Sequence, residues 1–350
     1  METSGGVFLV VVDIIVVLGV KIEILLIGHE LISTARMISV IIPTYNRGQF
    51  LKDALESIQG VEELLEVIVG DDASSDDIGT ICRNCQDALG IPIIHLRSEV
   101  RKGAQDARNR AMDQSKGSYL LFLDSDDLLV PAGVNQLLEK LAGDTSLDYC
   151  LGYVTKTDAD LVPLNEGKVG GEFTSSPRDI AGYHWQTMGA LYRRDYLMQR
   201  VGYWNLELTG SQDWEYQARV KLGRGNWEYV DTCVGYWRQH SGTRVGAKSF
   251  QPDYVRSVIK ACLSIYRHAV KAGFVDSTLE KRLAVKIFVH AVEFGSNGYR
   301  KDRQIALKQM LECMPPGKNL NIRALAKLWY FAPGTMDSLA LKLIRRSKGL

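Results

Sequence analysis

Three aspartates follow an apolar run near the middle of the chain. Residues 119–123 read Tyr-Leu-Leu-Phe-Leu, and Asp124, Asp126 and Asp127 come directly after them. Bulky apolar runs are typical of strands buried on both faces of a parallel sheet, and open α/β sheets bind ligands at the carboxyl ends of such strands. Carboxylates this close repel one another unless a cation holds them, and Mg2+ and Mn2+ prefer oxygen ligands. The spacing predicts a divalent-metal site; the alternative is a solvated turn before a helix near Pro131.

The residues before this run predict further strands that alternate with helices. Ile38 to Ile42 is β-branched and predicts a short buried strand that ends at Pro43, because proline lacks the amide hydrogen of a central ladder. Leu65 to Val69 predicts the next strand, and Ile93 to Leu96 predicts a third. Helical spacing separates these strands, which predicts right-handed βαβ units and a mainly parallel sheet of the α/β class.

Composition and charge narrow the classes of protein. The 350 residues are 46% hydrophobic and 24% charged, which is typical of a globular chain of two or three domains. The 42 basic and 41 acidic residues leave a net charge of +1, so no nucleic-acid partner is expected. The six cysteines are scattered, which indicates a reducing compartment. Cys82 and Cys85 form a lone C-x-x-C, which is interpreted as helix packing, with a metal or redox site as the alternative.

Three motifs occur in the order and approximate spacing of the family 2 glycosyltransferases, which have the GT-A fold. Residues 40–47 read Val-Ile-Ile-Pro-Thr-Tyr-Asn-Arg, residues 66–76 read Glu-Val-Ile-Val-Gly-Asp-Asp-Ala-Ser-Ser-Asp, and residues 123–127 read Leu-Asp-Ser-Asp-Asp. Each motif alone is weak, but together they are specific. The resemblance covers about residues 38–246 and implies an inverting enzyme that takes a sugar from a nucleotide-sugar, with UDP as the expected nucleotide. Neither a G-x-G-x-x-G after the first strand nor a P-loop motif is present.

The resemblance assigns the first two motifs to the nucleotide. It implies that Pro43, Thr44 and Tyr45, with Arg47 beside them, hold the base and ribose together with Asp72. The chemistry agrees, because a carboxylate can accept the ring N–H of uracil or thymine, and a tyrosine ring offers a stacking face. Helix capping is the alternative role for the acids of the second motif.

The resemblance assigns other residues to the diphosphate and a metal. Arg108 lies in a segment similar to the family's G-x-x-x-A-R-N and is the candidate for phosphate contact, with a solvated surface arginine as the alternative. Asp124 and Asp126 would be the D-x-D acids that bind Mn2+ or Mg2+, and Ser125 lies between them. The metal would stabilise the departing diphosphate. His240, in a Tyr-Trp-Arg-Gln-His segment, is a metal or phosphate contact or a structural histidine.

The second half of the resemblance implies the acceptor site. Residues 210–220 resemble the family's E-D-W segment, with Gln212 in place of the usual first acid, and Asp213 is the candidate general base. A neutral amide at position 212 cannot raise the basicity of Asp213 by charge repulsion. The alternative role for Asp213 is a helix N-cap. Trp185 and Trp204 are expected, with Gln212, to form a wall for the acceptor.

The chain is expected to have three parts. Residues 1–36 are an apolar extension interrupted by Asp13, interpreted as lying outside the folded enzyme, with a weak membrane-associating segment as the alternative. Residues 37–246 form the glycosyltransferase domain, with a donor-binding half at 37–127 and an acceptor half at 128–246. Residues 247–350 are helical and end in a basic tail.

The basic tail and the composition also predict a location. The tail places its charges beside Leu-Trp-Tyr-Phe, and it is expected to contact an anionic membrane, with a solvated basic helix as the alternative. The predicted location is cytoplasmic, with peripheral contact at the inner face of the plasma membrane. The charged residues of the tail are Lys318, Arg323, Lys327, Lys342, Arg345, Arg346 and Lys348, with Asp337 the acid among them.

The predicted function is transfer of a sugar to a hydroxyl of a glycan or a lipid-linked saccharide, in polysaccharide or glycoconjugate biosynthesis. Two alternatives share the expected fold. A sugar nucleotidyltransferase would use similar paired acids but would release pyrophosphate. A catalytically inactive sugar-binding or scaffold protein would bind the donor without turnover.

Overall fold

The computed structural model describes residues 37–170, 180, 182, 185–240 and 250–312, except the side chains at positions 165 and 166. The predictions about the N-terminal extension and the basic C-terminal tail lie outside these residues. Among the described residues, every helix is too short or too polar to cross a bilayer.

The first half alternates strands and helices, as the sequence predicts. Its elements are β1 (Ile38–Thr44), α1 (Gly48–Glu56), β2 (Leu64–Asp71), α2 (Ile78–Leu89), β3 (Ile93–Arg97), α3 (Ala104–Gln114) and β4 (Tyr119–Phe122). The four strands are all parallel and lie in the order β3-β2-β1-β4. Their carboxyl ends therefore meet at one edge of the sheet, where the acidic motifs begin.

The first strand continues past the proline that was expected to end it. Pro43 pairs with Gly70, and β1 ends at Thr44. The carbonyl of Ile41 accepts from Leu123 on the β4 side, and that of Thr44 accepts from Asp72 on the β2 side. By alternation, the missing amide hydrogen of Pro43 would face β4, whose pairing with β1 ends at Ile41. Proline therefore costs the ladder no hydrogen bond, and the predicted strand end is wrong by two residues.

The second half continues the sheet with both strand directions. Its elements are β5 (Leu128–Leu129), α4 (Pro131–Gly143), β6 (Tyr149–Thr157), β7 (Pro163–Val169), β8 (Ala190–Arg193), α5 (Arg194–Tyr196), α6 (Gln212–Leu222) and β9 (Trp227–Arg238). β8 is antiparallel to β4 and β6, while β9 is parallel to β6. The sheet is thus parallel from β1 to β4 and mixed beyond them. β6 and β7 are antiparallel, because they lack the long crossover connection that a parallel pair needs.

The helical region packs on the acceptor half. Its helices are α7 (Pro252–Lys271), α8 (Ser277–Ser296) and α9 (Arg300–Glu312). Trp214, Ala218 and Leu222 on α6 are buried in one core with residues of these helices. The α/β class and the helical C-terminal region are confirmed. α6 belongs to the α/β part of the chain but shares a core with the C-terminal helices.

The two cysteines of the C-x-x-C are core residues of α2, as the packing interpretation predicts. Cys82 and Cys85 are 2% and 4% exposed. Burial raises the pKa of the Cys82 thiol to about 12 and raises that of Cys85 as well, so neither thiol forms much of the reactive thiolate at neutral pH.

We expect Cys82 and Cys85 to resist alkylation by iodoacetamide in the native protein at neutral pH. Cys233, which is free and only partly buried, serves as the internal reference. Mass spectrometry of tryptic peptides over time measures the three rates. Labelling of Cys82 as fast as Cys233 would contradict the packing role and revive a redox site.

Candidate active site

The loops after β1 and β2 are joined by hydrogen bonds. The amide of Asn46 donates to Ser74 Oγ at 3.0 Å, and Asn46 Oδ1 accepts from the amide of Ser75 at 2.7 Å. The amide of Gly48 donates to Asp76 Oδ2 at 2.9 Å. Asp76 thus caps α1 from the neighbouring loop, and not α2, the helix that follows it in the chain. This role of Asn46 was not predicted from the sequence. Its type was the available signal, because asparagine tolerates the left-handed backbone found there, with φ 50°.

Asp71, at the end of β2, anchors the loop that follows β2. It is fully buried and accepts from the amide of Ser74 at 2.9 Å, and it contacts His95 Nε2 at 3.0 Å. Burial acts to raise the pKa of Asp71, but hydrogen bonds from Ser74 and His95 outweigh it, so the pKa lies below its ordinary value. A charged carboxylate therefore anchors the loop that carries Asp72.

Asp72 connects this loop to the start of α3. Its Oδ1 accepts from the amide of Lys102 at 2.6 Å, and its Oδ2 accepts from the amide of Gly103 at 2.8 Å. Each carboxylate oxygen keeps a second lone pair, so Asp72 is still able to accept a further N–H. Nearby, the guanidinium of Arg101 lies over the ring of Tyr45 at 4.0 Å. Arg101 is exposed, so it is able to move aside at little cost.

Arg108 bridges the first part of the domain, residues 37–127, and the second part, residues 128–246. Its Nη2 donates to Asp124 Oδ1 at 2.5 Å, and its Nη1 donates to Gln212 Oε1 at 3.5 Å. Its guanidinium also lies over the indole of Trp204, at 4.4 Å from the ring centroid. The Arg108 side chain is only 7% exposed, whereas Asp124 keeps 33% of its side-chain surface. Arg108 is therefore not the solvated surface arginine of the alternative interpretation.

The base candidate lies near the same carboxylate. Burial raises the pKa of Asp124, Arg108 opposes this effect, and the negative charges of Asp126 and Asp213 add to it. Asp213 is in the first turn of α6 and is partly exposed. The carboxylates of Asp124 and Asp213 are thus close enough for the charge of one to act on the other.

The other two acids of the cluster contact different partners. Asp126 Oδ2 contacts Arg47 Nη1 at 2.7 Å and His240 Nε2 at 2.9 Å. Asp127 Oδ1 accepts from the amide of Arg238 at 3.0 Å, which fastens the loop to the end of β9. Asp126 and His240 are thus in direct contact. Asp127 instead holds its loop against the end of β9.

The two carboxylates fit a divalent metal whose remaining ligands would come from the substrate. Asp124 and Asp126 offer carboxylate oxygens, and Mg2+ is commonly bound by one or two carboxylates together with substrate phosphates and water. Within the described ranges, no group of three or more His, Cys, Asp and Glu side chains is arranged to hold a metal. The protein would therefore supply two carboxylates, and His240 would orient Asp126.

The two predicted wall tryptophans are in the core. Trp185 is 1% exposed and donates through Nε1 to the hydroxyl of Tyr192, at 3.0 Å. Trp204 is 3% exposed and stacks on Tyr216, with centroids 4.1 Å apart. Neither indole has a free face for a sugar, so this prediction is wrong for both. Trp204 instead packs against Arg108. Gln212 accepts from Arg108, and its place in the acceptor wall stays a prediction.

Parallel strands that end in acidic loops, followed by a mixed sheet and a helix-borne acid at the same edge, define a glycosyltransferase fold of the GT-A class. Residues 39–201 match the family model described as Glycosyl transferase family 2. This match agrees with the family that the three motifs predict.

Two curated relatives and one solved structure illustrate the similarity. A GalNAc(5)-diNAcBac-PP-undecaprenol beta-1,3-glucosyltransferase of Campylobacter jejuni is 36% identical over 29% of this chain and 34% of the relative. The UDP-Glc:alpha-D-GlcNAc-diphosphoundecaprenol beta-1,3-glucosyltransferase WfaP of Escherichia coli is 28% identical over 66% of this chain and 88% of its own length. The first of these is thus matched over about a third of its length.

The structural relative shares the fold. The crystal structure of S. aureus TarS 1-349 in complex with UDP-GlcNAc has a TM-score of 0.65 and 20% sequence identity to this chain. The match covers 89% of this chain and 92% of that one, so it includes the helical region as well as the sheet.

Proposed function

We propose that this chain transfers a sugar, with inversion, from a UDP-sugar to a hydroxyl of a lipid-linked saccharide. The observation that carries the proposal is the bridge of Arg108 between Asp124 and Gln212, because it joins the donor acids to the helix of the candidate base. The names of the two curated relatives, which both act on undecaprenol-linked saccharides, support the acceptor class. The UDP-GlcNAc in the TarS complex supports the nucleotide.

The nucleotide is assigned to the loops after β1 and β2, with Pro43 near the end of β1 and Arg47 directly before α1. Asp72 accepts the ring N–H of uracil with a remaining lone pair, and the ring of Tyr45 stacks on the base. Thr44 Oγ1 supports this assignment, because it is buried and has no hydrogen-bond partner within the described part of the chain. A ligand hydroxyl or carbonyl would satisfy it.

We expect Asp72→Asn to weaken UDP binding by about tenfold, because the amide nitrogen is unable to accept from Lys102, Gly103 or uracil. Isothermal titration with UDP measures the change. Asp87→Asn, on the exposed face of α2, is the control. Unchanged UDP affinity in Asp72→Asn would remove Asp72 from the nucleotide site.

The diphosphate is assigned to the arginines that now contact the acids. Arg108 pairs with Asp124, and Arg47 pairs with Asp126. When the donor enters, both guanidinium groups exchange a carboxylate for phosphate oxygens, which match their geometry, and Ser125 lines the loop between the acids. A divalent ion on Asp124 and Asp126 supplies Lewis-acid stabilisation of the departing diphosphate.

The transfer step is assigned to Asp213. Its carboxylate takes the proton of the acceptor hydroxyl as that oxygen attacks the anomeric carbon from the face opposite the diphosphate. The new C–O bond forms as the bond to the phosphate oxygen breaks, and UDP leaves with the electron pair. Gln212, held by Arg108, borders the acceptor side.

The test supplies UDP-glucose or UDP-GlcNAc, Mn2+ and GlcNAc-diphosphoundecaprenol. We expect release of UDP together with a glycolipid heavier by one sugar, read by mass spectrometry. Pyrophosphate release from UTP and a sugar 1-phosphate would favour the nucleotidyltransferase alternative. Donor binding without transfer to a panel of acceptors would favour the inactive scaffold. The cytoplasmic location and the membrane contact of the basic tail stay predictions.

A further inference from the structure

A residue of the helical region holds the turn that precedes the proposed base. Ser257 lies on α7 and is 2% exposed. Its hydroxyl accepts from the amides of Thr209 at 3.0 Å and Gly210 at 2.9 Å, and it donates to the carbonyl oxygen of Gly210 at 2.8 Å. These three bonds use the whole capacity of a serine hydroxyl. Two consecutive residues of the turn are therefore fixed by one side chain.

The backbone directly after this contact is strained. Ser211 has φ 56° and ψ 30°, in the left-handed region that side chains other than glycine rarely adopt, and its own hydroxyl makes no capping bond to α6. Such a conformation is unfavourable for serine and persists only where neighbouring groups hold it. Gln212 and Asp213 follow immediately, so Ser211 sets the direction in which the first turn of α6 presents its carboxylate.

A second residue of α7 packs against the same turn. A Cβ placed on Gly210 would lie 2.5 Å from Cδ2 of Tyr254, which is closer than real carbon contacts allow. Glycine at this position therefore lets α7 and the turn approach each other closely enough for the Ser257 bonds.

We propose that Ser257 is a positioning residue for the transfer reaction, which fixes the turn at residues 209–211 so that Asp213 faces the acceptor hydroxyl. The inference rests on the proposed function of Asp213. It gives the helical region a direct part in the reaction, because a group on α7 determines the aim of the base on α6.

The chain offers a matched control on the same helix. Ser264 lies about two turns further along α7, and its hydroxyl donates to Glu215 Oε1 at 2.6 Å. Glu215 is buried and paired with Arg219. It is in the same first turn of α6 as Asp213, but residues two apart on a helix do not share a face. Ser264 therefore ties α7 to α6 through another face of that turn, without a contact to residues 209–211.

The test compares Ser257→Ala with Ser264→Ala, using UDP-glucose, Mn2+ and GlcNAc-diphosphoundecaprenol. We expect S257A to lower kcat by about 10- to 100-fold and to leave the donor KM unchanged within about twofold, because the base is misplaced while the donor loops are intact. S264A removes a buried hydrogen bond to the Glu215 carboxylate, so it also lowers Tm but leaves kcat within about threefold of the parent. Equal kcat values in the two variants would overturn the proposal.

A second variant covers the case in which S257A does not fold. Gly210→Ala retains the Ser257 hydroxyl but pushes the turn away from Tyr254, and the same loss of kcat at constant donor KM is expected. Full kcat in G210A would overturn the proposal. A fully active Asp213→Asn would instead remove the base role on which this inference rests, whatever the behaviour of S257A, and only absence of transfer by the parent would overturn the proposed function itself.

Discussion

Replacement of Asp213 by asparagine is expected to lower kcat by about 10²- to 10⁴-fold, which is the usual contribution of a positioned general base. Asparagine has nearly the same shape, and its amide is well tolerated in the first turn of a helix. It is unable to take a proton from the acceptor hydroxyl. Steady-state assays of UDP release, with donor binding followed by isothermal titration, measure the effect.

The affinity for the donor should stay within about twofold in Asp213→Asn, because the carboxylate acts on the acceptor. Glu207→Gln is the control, since Glu207 is an exposed acid a few residues before α6. A parallel fall in donor affinity would make Asp213 a donor contact. Unchanged kcat would remove the base role from Asp213, which lies inside α6 and is not its N-cap, and the search for the base would return to the acids after β4.

Replacement of Asp124 by asparagine is expected to lower turnover by about 100-fold or more, because it removes a charged ligand from the proposed metal site. The concentration of Mn2+ needed for half-maximal rate should rise, and excess Mn2+ should restore part of the rate. Titration of Mn2+ against UDP release measures both effects. Asp87→Asn is the control, and an unaltered Mn2+ requirement in Asp124→Asn would remove Asp124 from the metal site.

A structural effect of the same change has to be separated from the catalytic one. Asp124→Asn leaves the buried Arg108 without its anionic partner. Since Asp124 keeps a third of its side-chain surface, we expect a loss of about 1–3 kcal/mol in unfolding free energy, less than for a fully buried pair.

The double variant Asp124→Asn with Arg108→Gln makes this separation. It removes the unpaired charge, so the denaturant midpoint should return toward that of the parent. Turnover should not return, because both the metal ligand and the phosphate contact are gone. Recovery of turnover in the double variant would show that Asp124 acts only by balancing Arg108.

The sequence contained enough information for the parallel half of the fold. Strand and helix periodicities are local, and acids that follow buried strands must meet when those strands are parallel. The same reasoning placed Asp124 and Asp126 at the edge where these strands end, whereas Arg108 and Asp213 were predicted from the resemblance to the family. It failed at Pro43, since whether a proline interrupts a ladder depends on which neighbour its amide faces, and that neighbour is set by strand order.

The contacts that organise the site were outside the reach of local patterns. Arg108 and Gln212 are 104 residues apart, and Asp126 and His240 are 114 apart. The burial of Trp185 and Trp204 was also decided by distant packing, since a tryptophan followed by polar residues has the same local sequence in a core as in a sugar site.

By itself, then, the amino-acid sequence determined the family, the order of the motifs and the residue types available for chemistry, because these follow from short-range spacing. Only the tertiary structure decided which charges pair, which aromatic rings are covered and that Ser257 supports the turn before Asp213. Those outcomes depend on how helices and loops far apart in the chain exclude water from one another, and no window of sequence contains both partners.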